Sequence, residues 1–136
     1  MELRDVMTPN PTVCSPDTTA AQAARMMRDQ GIGDVLVQDD DSLGIVTDRD
    51  IVTRAVAEGR DPAAVTLADI CTREIQTVSP DMSIDDVIRL MSDKAVRRVP
   101  VVEGGKPVGI VALGDLAVER DRRSLLADIS AAPPSN

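Results

Sequence analysis

Gly44-Ile45-Val46-Thr47-Asp48-Arg49-Asp50 reads as a buried strand that ends on a threonine and turns directly into a helix. Gly44 lets the backbone pack closely, and Ile45 and Val46 are strand formers. Thr47 carries the hydroxyl of an N-cap, and Asp50 then falls in the first helical turn. A helix start presents unpaired N–H groups and partial positive charge, which suits an anionic ligand. A hydroxyl and a carboxylate three residues apart can also hold the hydroxyls of a sugar. The same pair serves equally as an ordinary helix cap. An altered copy, Gly109-Ile110-Val111-Ala112-Leu113-Gly114-Asp115, lies in the second half, with Ala112 in place of the threonine.

The copy belongs to an internal repeat. Ser15-Pro16-Asp17 recurs as Ser79-Pro80-Asp81, and Asp5-Val6-Met7-Thr8 matches Asp69-Ile70-Cys71-Thr72 at the same offset. Arg25, Met27 and Asp29 match Arg89, Met91 and Asp93. One extra residue then separates the copies, so that Asp50 matches Asp115. Two copies are too few for an open solenoid. They suit a closed pair related by a pseudo-two-fold axis.

Each copy has the same order of elements. A lead-in (Leu3 to Met7) precedes a Pro-broken segment in which Thr12-Val13-Cys14 forms a short strand. A helix over Thr19 to Gln30 follows, with Thr19 and Gln22 as a capping box and Gly31 as its terminator. Ala20, Ala23, Ala24 and Met27 make its apolar face, as Ile84, Val87, Ile88 and Met91 do for the counterpart that begins at Ser83. Asp34 to Gln38 and Leu43 to Thr47 form a hairpin, as do Arg98 to Val102 and Pro107 to Ala112. The next helix covers Asp48 to Ala57, and in the second copy starts near Leu113. The expected organisation is repeat 1 over 1–60, a linker over 61–66, repeat 2 over 67–123, and a helix end with a disordered tail over 124–136. The tail begins after about Ile129, where the chain turns small and Pro-rich.

Composition narrows the function. The 136 residues include no Phe, Tyr, Trp or His, and the net charge is −8. No ring is available to stack on a base, and the charge repels nucleic-acid and lipid phosphates. A local patch at Arg120, Arg122 and Arg123 is the exception. Without histidine, and with only Cys14 and Cys71, no metal site is expected. The two thiols read as small buried residues, with a redox bridge as the sharper alternative. Asp39-Asp40-Asp41 reads as a solvated turn, since it lacks the spaced ligands of a calcium loop. Met26, Met27 and Met91 read as core or interface filler. No apolar run reaches the length of a membrane span and no signal-peptide layout is present, so a cytoplasmic protein is expected. No Ser-His or Cys-His set and no Walker loop is present, so an enzyme is not expected.

Strand, helix, hairpin and helix, closed by Gly-Ile-Val-Thr-x-x-Asp, resembles the CBS domain, and the tandem resembles a CBS pair or Bateman module of the stand-alone bacterial type. Met7-Thr8, the two Ser-Pro-Asp turns, Arg97-Arg98-Val99-Pro100-Val101-Val102, Gly44 to Asp50 and Gly109 to Asp115 carry the resemblance. It implies an α+β fold of tandem β-α-β-β-α repeats and a flat homodimer. It also implies an adenosine-containing ligand in a cleft between repeats. AMP, ADP or ATP is expected ahead of S-adenosylmethionine or NAD, as a regulatory ligand and not a required cofactor.

Carried over by position, one cleft combines Thr47 and Asp50 for the ribose with Arg97 and Arg98 for the phosphates. Thr77 and Val78 stand near the adenine, and Arg49 is a further phosphate contact. Ile32, Val78 and Val99 supply aliphatic walls. Strand alternation sends Arg97 and Arg98 to opposite faces, so one points inward and the other lies at the rim. Both could instead be a solvated strand end paired with surface carboxylates. The second cleft combines Asp115 and Ala112 with Thr12, Val13, Gly33 and Asp34. It lacks the hydroxyl and places a carboxylate where Arg98 stands in the other copy, and Leu36 replaces the Pro100 equivalent. The expected function is a non-catalytic sensor that signals to an unknown protein partner through dimer conformation. The alternative is a ligand-free CBS-pair dimer that acts as a structural or interaction module.

Overall fold

The computed structural model describes residues 2–73 and 75–131, with residues 126–131 described by backbone alone. A 3₁₀ turn over Leu3–Asp5 leads to β1 (Thr8–Pro9), β2 (Val13–Cys14), α1 (Ala20–Gln30), β3 (Asp34–Asp39), β4 (Ser42–Thr47) and α2 (Asp48–Ile51). A π-helical turn, Val52–Val56, continues α2. The second half holds α3 (Leu67–Ile70), α4 (Ile84–Asp93), β5 (Arg98–Glu103), β6 (Lys106–Ala112) and α5 (Leu113–Ala131). The chain forms two compact units, residues 11–75 and residues 1–10 with 76–136. Each unit is thus one repeat plus the lead-in of the other.

In the unit of residues 11–75, β2 runs parallel to β3, and β3 and β4 form an antiparallel hairpin in the register Asp34↔Thr47 to Asp39↔Ser42. Helix α1 starts on a complete capping box. Thr19 Oγ1 accepts from the Gln22 N–H at 3.1 Å, and Gln22 Oε1 accepts from the Thr19 N–H at 2.9 Å. Gly31 ends the helix at φ 66°, a left-handed conformation that favours glycine. Ala20, Ala23 and Met27 are buried as expected, but Ala24 is exposed and Met26 is the side chain that packs partly against the core. The linker is firmly held, since the carbonyls of Val65 and Pro62 accept from the first two α1 amides, Ala20 and Ala21.

The lead-in of repeat 2 docks on this unit. Ile45 and Thr72 exchange backbone hydrogen bonds of 3.1 and 2.9 Å at the β4 edge. Gly44 sits beneath the docked segment. A Cβ there would lie 3.0 Å from the Thr72 carbonyl oxygen and 3.3 Å from Cys71 Sγ.

The other unit repeats the plan. β1 pairs antiparallel with β6 (Thr8↔Ile110, Pro9↔Gly109), and β6 with β5. Val78 bridges Val101 in parallel, the equivalent of Cys14 with Val37 in the first unit. Ser83 caps α4 through the Asp86 N–H at 3.1 Å, and Ile84, Val87, Ile88 and Met91 are buried. The core is aliphatic throughout, with Leu3, Val99, Val101 and Leu116 each at most 1% exposed.

One expectation is corrected. The helix expected over Asp48 to Ala57 is α-helical only to Ile51, after which Ala57 N–H bonds to Val52 O and Arg60 N–H to Ala55 O, a wider five-residue spacing. Helix α5 runs through Ala131, and the rest of the tail expected to be disordered after about Ile129, residues 132–136, lies outside the described residues.

Candidate functional site

Thr47 closes β4 and begins α2. Its Oγ1 accepts from the Asp50 N–H at 3.1 Å, while Asp50 Oδ2 accepts from the Thr47 N–H at 2.9 Å. Two otherwise unpaired donors are thereby satisfied. The Asp50 side chain is 16% exposed, and its Oδ1 lies 3.8 Å from Arg54 Nε. Hydroxyl and carboxylate are therefore brought together, and the ordinary cap is fully formed. Arg49 is exposed, with its N–H held by Asp48 Oδ1 at 2.8 Å.

Within the same unit lie four residues of the second predicted set, Thr12, Val13, Gly33 and Asp34. Asp34 stands opposite Thr47 in the ladder, and the Asp48 N–H bonds to Gly33 O at 2.9 Å. Thr12 Oγ1 donates to Gln30 Oε1 at 2.6 Å, and the Thr12 carbonyl accepts from Leu36. Val13 is 45% exposed.

Thr77, Val78, Arg97 and Arg98 belong to the other unit. Arg97 is exposed and Arg98 half-buried, the alternation that a strand imposes. Arg98 pairs with Ala112 in the ladder, and the Arg97 carbonyl accepts from Leu113. Thr77 is half-buried, whereas Val78 and Val99 are core side chains at 4% and 1% exposure; Ile32, in the first unit, packs partly against that unit's core. Ala112 offers no side-chain oxygen to α5. Asp115 is exposed where its counterpart Asp50 is largely covered.

Sequence reasoning missed Arg54. It stands one helical turn after Asp50, the spacing at which ion pairs form, and its counterpart in the second copy is Glu119. Arg54 Nη1 donates to the Ile70 carbonyl at 2.8 Å and to Thr72 Oγ1 at 3.3 Å. The sign reversal between copies was the available signal.

Among the described residues no group of three or more His, Cys, Asp and Glu could hold a metal ion. No helix among them is long and apolar enough to cross a membrane. Cys14 and Cys71 are free thiols, the first buried and the second half-buried.

The CBS-domain family model matches this chain twice, at residues 3–57 and 67–121. The uncharacterized protein MK0525 of Methanopyrus kandleri is 40% identical over 116 residues, and the chain covers 57% of its length. Hypoxic response protein 1 of Mycobacterium tuberculosis is 38% identical over 84% of this chain and 81% of its own. A crystal structure of Hypoxic Response Protein I with two coordinated zinc ions superposes with a TM-score of 0.74 at 37% identity, over 87% of this chain and 98% of that one. A hexameric CBS-CP12 protein from bloom-forming cyanobacteria gives a TM-score of 0.79 at 25% identity, over 96% and 83%. With two family matches over two tandem α+β repeats, this chain belongs to the CBS-domain family as a CBS pair.

Proposed function

We propose that the chain is a non-catalytic cytoplasmic sensor that binds an adenosine-containing ligand, AMP, ADP or ATP foremost, and passes the signal to a protein partner. The observation that carries this reading is the part-buried meeting of the Thr47 hydroxyl and the Asp50 carboxylate. A carboxylate accepts hydrogen bonds from two ribose hydroxyls without needing to be displaced from its cap, since each oxygen has two acceptor sites. Arg97 and Arg98 are the phosphate-facing residues, because the planar guanidinium matches phosphate with paired, charge-assisted bonds. Asp34 at the position equivalent to Arg98 repels phosphate, so the Asp115 set is the weaker one. We also assign the chain a homodimeric state. What supports it is exposed apolar surface on each unit taken by itself: Val52 and Val56, four residues apart, are each 57% exposed, and Val118 and Leu125, seven apart on α5, are 58% and 60% exposed.

The test is thermal unfolding followed by far-UV circular dichroism, with AMP, ADP, ATP, S-adenosylmethionine and NAD in turn. A ligand at 100 times its Kd adds about 2.7 kcal/mol, several degrees in Tm. Asp50→Asn keeps an acceptor for the Thr47 N–H but loses the charge, and it should abolish the shift. Arg97→Ala and Arg98→Ala should weaken nucleotide binding more than adenosine binding. No shift with any of the five overturns the reading. It would favour the interaction module, which has its own supporting observation: the Thr47–Asp50 box is complete without any ligand.

A further inference from the structure

We infer that Arg54 is a positioning residue that ties the Asp50 carboxylate to the docked segment Leu67–Thr72, so that events at Asp50 are felt where repeat 2 begins. The inference concerns regulation of the site proposed above and rests on that reading for its ligand, but not for its mechanical link. One side chain spans both features. Arg54 Nε faces Asp50 Oδ1 at 3.8 Å, and Nη1 grips Ile70 O at 2.8 Å and Thr72 Oγ1 at 3.3 Å. Thr72 in turn holds the β4 edge through the reciprocal bonds with Ile45. Ile45 is two residues before Thr47, so the path closes on the capping box.

The backbone carrying Arg54 is unusual. It lies in the π-helical turn Val52–Val56, and such turns widen a helix and re-aim its side chains. The second unit has neither feature: α5 is α-helical throughout, and Glu119 faces Arg122 at 3.9 Å instead. Among the described residues the link therefore stands beside the complete Thr47–Asp50 pair alone.

The consequence has a direction. When sugar hydroxyls donate to Asp50, part of its charge is taken up, its pull on Arg54 falls, and the guanidinium is left to the Ile70 and Thr72 oxygens. The docked segment is then held more firmly. Coupling of this kind is reciprocal, so the segment also sets the ligand affinity.

Amide hydrogen exchange by NMR on the intact chain tests this. The Ile45 and Thr72 amides report the docked segment, and Leu36, bonded to Thr12 O, is the control in the same unit. Arg54→Met, which keeps the aliphatic stem, should speed exchange at Ile45 and Thr72 by about tenfold relative to Leu36, the scale of a hydrogen bond from a charged donor. Arg54→Lys should recover part of the protection, since a point charge reaches one oxygen but not the fork. Asp50→Asn should slow these two amides in the Arg54 protein and do nothing to them in Arg54→Met. Equal effects of Asp50→Asn in both backgrounds, or exchange in Arg54→Met that rises uniformly or not at all, would overturn the link. With AMP or ATP, slowing at Ile45 and Thr72 beyond that at Leu36 should appear in wild type and vanish in Arg54→Met. If no nucleotide shifts the melting temperature, the ligand reading falls, while the Asp50–Arg54 cycle still decides the link.

Discussion

Gly109→Ala probes the docking of a lead-in on the opposite repeat. The backbone there does not need glycine for its φ, so alanine is resisted only by what its methyl would meet. A Cβ at Gly109 would stand 2.5 Å from Met7 Sδ, 2.9 Å from Met7 Cγ and 3.0 Å from the Thr8 carbonyl oxygen. The Met7 side chain can swing away, but Thr8 is paired to Ile110 in the ladder and can retreat only by loosening it. Overpacking of this kind costs about 1–3 kcal/mol. Stiffening the unfolded chain by Gly→Ala returns about 0.4–1 kcal/mol. The net expectation is a loss of about 1–2 kcal/mol. At Gly44 the nearest atom is the Thr72 carbonyl at 3.0 Å, with the softer Cys71 Sγ at 3.3 Å, so Gly44→Ala should cost somewhat less. Urea unfolding followed by far-UV circular dichroism measures both, since no aromatic fluorophore exists. The diagnostic is the double variant: Met7→Ala should relieve much of the Gly109→Ala penalty, leaving a coupling of about 1 kcal/mol. A Gly109→Ala protein as stable as wild type, or one whose cost simply adds to that of Met7→Ala, would refute the reasoning.

Ala112→Thr should restore a capping box on α5, with Asp115 already three residues on, and stabilise by about 1 kcal/mol in urea; no gain would mean that the helix start cannot adopt capped geometry. The Thr66 backbone N–H, its hydroxyl and the Arg60 guanidinium hold the Asp69 carboxyl below the usual carboxylate value of 3.8. Its contribution is therefore fully present above that value and is lost as pH falls through the depressed folded value. Asp69→Asn should flatten the acid limb of a stability-versus-pH curve below that value and leave its slope near neutrality unchanged. Burial pushes the Cys14 thiol up. Alkylation under native conditions, mapped by mass spectrometry, should therefore mark half-buried Cys71 well before Cys14.

The readable part of this chain was the part whose causes lie within four residues of sequence. Thr19 with Gln22, Thr47 with Asp50, Ser83 with Asp86 and the left-handed Gly31 are all local devices, and each stands where its pattern placed it. The hairpins followed from strand alternation around short polar turns. What escaped was decided by backbone hydrogen bonds, which carry no residue code. Nothing in Thr8-Pro9 announces pairing with residues 109 and 110, because a two-residue strand has no periodicity. The glycines that accommodate it were visible, but their partners were not. The π-helical turn escaped for the same reason, and with it the grip of Arg54 on the Ile70 carbonyl.

The two copies also differ in a way that separates structural need from ligand need. A short helix depends on its cap more than a long one does, because the cost of nucleation is spread over fewer hydrogen bonds. The helical run of α2 and its π-helical turn, Asp48 to Val56, is about half the length of α5 and so has the stronger structural reason to keep Thr47 and Asp50, while nineteen-residue α5 can dispense with a capping side chain at Ala112. Retention of the box is thus explained without any ligand. The arginines are not explained in that way. A cap at α2 has no use for Arg97 and Arg98, which stand just before and at the start of β5, and the equivalent positions of the other hairpin hold Gly33 and Asp34. The Thr47–Asp50 meeting carries the ligand reading, and the arginines are the residues that can separate it from an ordinary cap. The variant pair that separates the two readings is Arg97→Ala and Arg98→Ala measured against Thr47→Ala: the last should lower stability by about 1 kcal/mol whatever binds, and only the first two should discriminate ATP from adenosine.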